Sequence, residues 1–122
     1  MSSKVKNWLL VFVWAGLIFF LSNQPFLKSD LPNQWDFILR KIAHITEYAI
    51  LAWLLIRALQ GNKLTWGQLT LAVVLSILYA VSDEYHQTFV LGREGTFRDV
   101  SIDSFGVLLA AWLNRRKMIV KD

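Results

Sequence analysis

The sequence predicts an all-α polytopic membrane protein: a four-transmembrane-helix antiparallel bundle with a polar cluster at one end. Three observations carry this. Of the 122 residues, 55% are apolar and 18% charged, more apolar and less charged than an average soluble domain. A soluble core of this size could not hide so many Leu, Ile, Val, Phe and Trp residues, so lipid must be part of the solvent. The apolar residues also fall into long runs with short polar connections between them. Finally, most of the acids lie between Tyr79 and Asp103 and run into the apolar stretches on both sides, whereas an ordinary connecting loop keeps its charges clear of the spans.

A chain of this length fits one domain, residues 1–122. The absence of Cys excludes disulfides and thiolate metal sites. The net charge of +4 comes from Lys and Arg residues placed between apolar runs, not along one stripe. That distribution reads as membrane topology and not as a nucleic-acid surface.

Helix 1 is predicted over about residues 7–22. Lys4 and Lys6 before the apolar run from Trp8 to Leu21 resemble a signal peptide. Against that, Ser22-Asn23-Gln24-Pro25 offers no small-x-small cleavage site, and the uncharged run continues to Leu27. A polar connection containing Pro25 and Pro32 follows. Within it, residues 33–38 suit a short interfacial helix, since Trp35 and Phe37 favour the headgroup level.

Helix 2 is predicted over about 41–59, with His44 and Glu47 inside an otherwise apolar stretch. Gln60-Gly61-Asn62-Lys63 reads as a turn. Helix 3 follows over about 65–87 and helix 4 over about 98–114, closed by Arg115-Arg116-Lys117. The uncharged run of helix 4, residues 104–114, covers only about half of a ~30 Å hydrocarbon core. The span is long enough only if Asp99 and Asp103 lie at or below the interface.

Eight of the thirteen Lys and Arg residues sit near the N-terminus, the turn after helix 2 and the C-terminus. The positive-inside rule then places both termini in the cytoplasm. Antiparallel helices bring the end of helix 1, the start of helix 2, the end of helix 3 and the start of helix 4 to the opposite leaflet. Helical spacing puts His44, Glu47, Tyr48 and Leu51 on one face. It gives a second stripe of Ser76, Ala80, Asp83 and Gln87, and a third of Asp99, Asp103, Gly106 and Ala110. Small residues at mid-membrane allow close helix approach, and ionisable groups at this depth need partners inside the bundle.

Each polar residue also has a plain structural reading. Asp99 suits an N-cap, and His44 a hydrogen-bonded helix position. Tyr48 and Tyr85 suit interface anchors, and Arg93 an ion-pair partner. Asp83 and Glu84 fall at a helix C-terminus, where the dipole disfavours anions. Arg93, Arg98, His86, a metal ion or protonation would compensate them. Gly92 and Gly95 suit turns, and could also present backbone N–H groups to a phosphate or carboxylate.

His44-x-x-Glu47-Tyr48, Ser82-Asp83-Glu84-Tyr85-His86-Gln87-Thr88-Phe89-Val90-Leu91-Gly92-Arg93, and Asp99 followed by Asp103-Ser104-x-Gly106 occur in that order. Together with Ser22-Asn23-Gln24-Pro25, this set resembles the VanZ-like family over about residues 19–111. It departs at Leu91, where the family commonly has Pro before Gly-Arg. The resemblance implies a small integral protein of the bacterial cell membrane, in a family whose namesake lowers susceptibility to the glycopeptide antibiotic teicoplanin.

Two functional classes follow. In the first, an outward-facing cavity binds a cell-envelope ligand, either a lipid-linked phosphate or a glycopeptide. Arg93, His44, Glu47, Asp83, Glu84, Gln87, Asp99 and Asp103 are its candidate ligand-binding residues. In the second, an intramembrane enzyme acting on a membrane lipid or a lipid-linked phosphate uses Glu47, Asp83, Glu84, Asp103 and His44 to bind a divalent metal or to act as acid and base. No nucleophile elbow, P-loop or zinc-helix motif is present, which favours the first class. The expected partners are membrane lipids and the envelope ligand, with no nucleic acid.

Overall fold

The computed structural model describes residues 2–22, 33–61, 63–89 and 97–119, and within them it is all-helical. Four long helices, α1 (Ser3–Ser22), α2 (Asn33–Leu59), α3 (Trp66–Gln87) and α4 (Phe97–Asn114), are followed by a single turn, α5 (Arg116–Ile119). Three of them, α1, α2 and α3, are long and apolar enough to cross a membrane. Residues 23–32 and 90–96, and with them the Asn23-Gln24-Pro25 part of the first motif and Arg93, lie outside the described residues.

The largest departure from the sequence reading is the start of α2. The helix begins at Asn33 and runs unbroken to Leu59, so the interfacial segment and the predicted helix 2 are one element. Arg40 and Lys41 suggest a boundary because they end the uncharged run. Lipid limits where charge is tolerated, however, and not where backbone hydrogen bonding continues. Likewise α1 starts at Ser3 and takes in Lys4 and Lys6.

Local chemistry sets the other ends. Thr65 caps α3 reciprocally: the Gln68 N–H donates to Thr65 Oγ1 at 3.1 Å, and the Thr65 N–H donates to Gln68 Oε1 at 3.1 Å. At the far end of α3, the Thr88 hydroxyl donates to the Tyr85 carbonyl at 2.6 Å. The buried Asn114 amide donates to the Ala110 carbonyl at 2.8 Å, satisfying one carbonyl of the last turn of α4.

α2 is the central helix, touching all three other long helices, and its most extensive contact is with α4. Tyr48, Leu51, Ala52, Leu55 and Ile56 of α2 are buried, with Ala72, Ser76 and Ala80 of α3 and Val107, Ala110 and Ala111 of α4. α1 is peripheral: it buries Val11 and Ile18 but exposes Phe12, Val13 and Phe20. Leu78, Phe105 and Trp112 are also exposed. Such outward apolar faces are what lipid-facing helices present.

One end of the bundle is basic. Lys4 Nζ donates to the Ala58 and Gln60 carbonyls at 2.9 and 3.4 Å, and the Asn7 amide donates to the Arg57 carbonyl at 3.4 Å. The first turn of α1 therefore satisfies carbonyls at the C-terminus of α2, where a cation also suits the helix dipole. Lys117 lies 5.9 Å from the Trp53 ring at the same end.

α4 meets α2 in backbone contact at Gly106. A Cβ added there would overlap the Ile45 carbonyl oxygen and stand 3.2 Å from the Ala49 nitrogen. Gly106→Ala is therefore expected to push the helices apart and to destabilise the protein by at least the about 1–3 kcal/mol typical of overpacking. The outward-facing control Leu108→Ala should stay within about 0.5 kcal/mol of wild type. Thermal unfolding in detergent measures both; an unchanged Gly106→Ala midpoint would contradict this packing.

Candidate functional site

The end of the bundle opposite the basic one collects polar groups from three helices. α2 presents Lys41, His44, Glu47 and Tyr48, spaced so that successive turns carry them along one side. α3 presents Asp83, Glu84 and Gln87 in its last two turns, and α4 presents Asp99 and Asp103 in its first two. Asp103 is fully buried at 0% exposure; Asp83, Glu84 and Gln87 are each 4% exposed. Buried ionisable groups hold such positions only with partners.

Two of those partnerships join α2 to α4. His44 Nδ1 lies 3.0 Å from Asp103 Oδ1, and Lys41 forms an ion pair with Asp99. A third joins α2 to α3: the Tyr48 hydroxyl donates to Asp83 Oδ2 at 2.9 Å. Gln87 Nε2 adds a long contact to the same oxygen at 3.5 Å. α1 supplies no acid but locks the surrounding helices. The Trp14 indole donates to the Glu47 carbonyl at 2.9 Å, and the Tyr79 hydroxyl donates to the Ala15 carbonyl at 2.6 Å.

The accounting of acceptors is incomplete in one respect. Asp83 Oδ1 and Asp103 Oδ2 are buried and have no hydrogen-bond partner among the described residues. Buried carboxylate oxygens without partners are costly, so the site offers acceptor capacity that its own side chains do not fill. One potential ligand atom from each of His44, Asp83 and Glu84 lies within 4.8 Å of the others.

The sequence-derived candidates are placed as follows. His44, Asp83, Glu84, Gln87, Asp99 and Asp103 come together on α2, α3 and α4. Glu47 is half-buried, one turn beyond His44, with its carbonyl held by Trp14. Arg93 lies outside the described residues.

Tyr48 corrects the sequence reading, because it is no interface anchor. It is fully buried and bonded to Asp83, so its ring fills the core while its hydroxyl meets an acid. Tyr85 is 68% exposed, as an anchor would be. The His86 ring stands against Phe19 of α1, with centroids 4.7 Å apart.

Sequence reasoning missed Lys41 as the counter-charge to Asp99, although Lys41, His44 and Tyr48 share one helical stripe. It also missed Trp14 and Tyr79, whose polar atoms sit in otherwise apolar runs. Buried Trp and Tyr normally place such atoms on a partner.

No curated protein and no solved structure matches the chain significantly. The VanZ/LLP1 family model matches residues 7–119, which include every residue of the polar cluster and the helices that carry it. The chain therefore belongs to the VanZ/LLP1 family.

Proposed function

We propose that this VanZ/LLP1 protein is a multi-pass protein of the bacterial cell membrane whose polar end faces outward and binds a cell-envelope ligand, either a lipid-linked phosphate or a glycopeptide. α4 serves as the fourth span. At about 1.5 Å per residue its 18 residues approach the thickness of a hydrocarbon core. Its acids turn inward onto Lys41 and His44, while Phe105, Leu108 and Trp112 face out.

Orientation follows from the basic end, which carries Lys4, Arg57 and Lys117 and belongs in the cytoplasm by the positive-inside rule. A reporter fused after Asp122 should then read cytoplasmic; an extracytoplasmic signal would reverse the orientation.

The observation that carries the ligand reading is that two buried carboxylate oxygens, Asp83 Oδ1 and Asp103 Oδ2, have no hydrogen-bond partner among the described residues. They accept hydrogen bonds from hydroxyl, amide or ammonium groups. Sugar hydroxyls on a lipid-linked phosphate and the amines and hydroxyls of a glycopeptide supply such donors. The anionic part of a phosphate needs a cation, and Arg93 is the candidate, since a guanidinium grips a phosphate or carboxylate in two places. Reduced teicoplanin susceptibility is the phenotype this reading attaches to the protein.

The test compares variants at matched membrane levels, in cells where the wild-type protein is first shown to lower teicoplanin susceptibility or to affect another envelope phenotype. Asp103→Asn and Arg93→Lys should each lose most of the effect while still inserting. Wild-type behaviour of Asp103→Asn would remove the polar cluster from the function. Wild-type behaviour of Arg93→Lys alone would reduce Arg93 to a simple charge.

One geometric feature favours a second reading, an acid/base enzyme acting on a lipid phosphate or ester. The 3.0 Å contact with Asp103 engages Nδ1 of the His44 imidazole, as in sites where a carboxylate orients a general base. Turnover of envelope lipids by purified protein, lost in His44→Ala, would support it. Binding without turnover would leave the non-catalytic reading.

A further inference from the structure

We propose that His44, Asp83 and Glu84 form a binding site for one divalent transition-metal ion, with Asp103 positioning His44 from behind. The three residues come from two helices packed against each other, and one potential ligand atom of each lies within 4.8 Å of the others. Metal–ligand bonds of about 2.0–2.2 Å bring tetrahedral donors to roughly 3.4 Å apart. From 4.8 Å, the donor atoms would have to close by at most roughly 1.4 Å (4.8 − 3.4) to reach that spacing.

Two further observations point to a cation. Asp83 is 4% exposed. Its contacts, Tyr48 and Gln87, are neutral donors on a single oxygen, and Oδ1 has no hydrogen-bond partner among the described residues. A carboxylate this buried, with neutral donors on one oxygen and none on the other, has capacity for a positive charge.

The second observation is the orientation of His44. His44 Nδ1 lies 3.0 Å from Asp103 Oδ1; in the neutral tautomer that donates from Nδ1 to this carboxylate, Nε2 is the ring nitrogen left with a lone pair. A carboxylate on the far nitrogen is the arrangement that fixes tautomer and ring orientation in metal-bound histidines.

The donor set selects the ion. One imidazole nitrogen and two carboxylates, with no thiolate, suit Zn2+ or Mn2+. Ca2+ and Mg2+ favour all-oxygen shells. Three protein ligands leave a coordination position open to water or to an oxygen of a bound molecule. The inference shares Asp83 with the ligand reading, but its test is separate, because the ion is measured on the protein alone.

The experiment uses the full chain in detergent, stripped with a chelator and titrated with Zn2+ and with Mn2+ by calorimetry, with stoichiometry from elemental analysis. One ion per chain is expected. His44→Ala, Asp83→Asn and Glu84→Gln should each weaken binding at least about tenfold. Asp103→Asn should weaken it about 10–100-fold, the range for outer-shell partners, while keeping one ion per chain. A second readout needs no change at the site: pulsed EPR of the Mn2+-loaded wild type should show coupling to one imidazole nitrogen. That signal should survive in His86→Ala, which removes the chain's other histidine. No saturable binding by the wild type, no nitrogen coupling, or wild-type affinity in the folded ligand variants would each overturn the site.

Discussion

The Ile45 carbonyl of α2 occupies the space that any side chain on residue 106 of α4 would need. That contact fixes how closely the two helices approach and brings the polar side chains above it within reach of each other. One turn towards the polar end, Asp103 meets His44; a further turn along, Asp99 meets Lys41. A wider crossing would lengthen both contacts and weaken the pairing of two acids of α4 inside an apolar bundle, where burying a carboxylate costs several kcal/mol by ordinary desolvation. Close packing and the pairing of the buried acids are thus one constraint here: the glycine permits the approach, and the approach permits the acids.

α3 joins this arrangement through a different device. Tyr48 lies wholly inside and offers its hydroxyl to Asp83, so a single side chain both fills the core and holds an acid. The consequence for function lies in what stays unfilled. Asp83 and Asp103 each use one oxygen and leave the other buried without a partner among the described residues. Buried groups of this kind mark places where something else completes the hydrogen bonding. The two proposals assign that something to different chemistry, namely donor groups of an envelope ligand and a divalent cation.

Much of this was legible in the sequence because the membrane simplifies reading. Apolar runs mark helices, and an acid within a run marks the bundle interior. The stripes of α3 and α4 were readable from spacing alone, as was the role of Gly106 beneath Asp103. The start of α2 was not readable, since Arg40 and Lys41 look like an interface while the helix continues through them. Lys41 itself was hidden for the same reason: a cation at a predicted boundary reads as topology, and only its partner on α4 shows it to be a counter-charge. Tyr48 was misread because an amphipathic ring near a helix end serves equally well as an anchor or a core donor, and spacing does not separate the two. Arg93, prominent in the sequence, lies outside the described residues.

The central claim is that α2 and α4 are coupled through buried polar pairs, and a double-mutant cycle on His44 and Asp103 tests it most directly. Unfolding free energies in detergent would be measured for wild type, His44→Ala, Asp103→Ala and the double variant, with a chelator present throughout so that no bound ion contributes. Directly interacting residues give coupling energies of about 0.5–3 kcal/mol, and this pair should fall in that range. Single-variant effects that simply add, to within about 0.3 kcal/mol, would contradict the account.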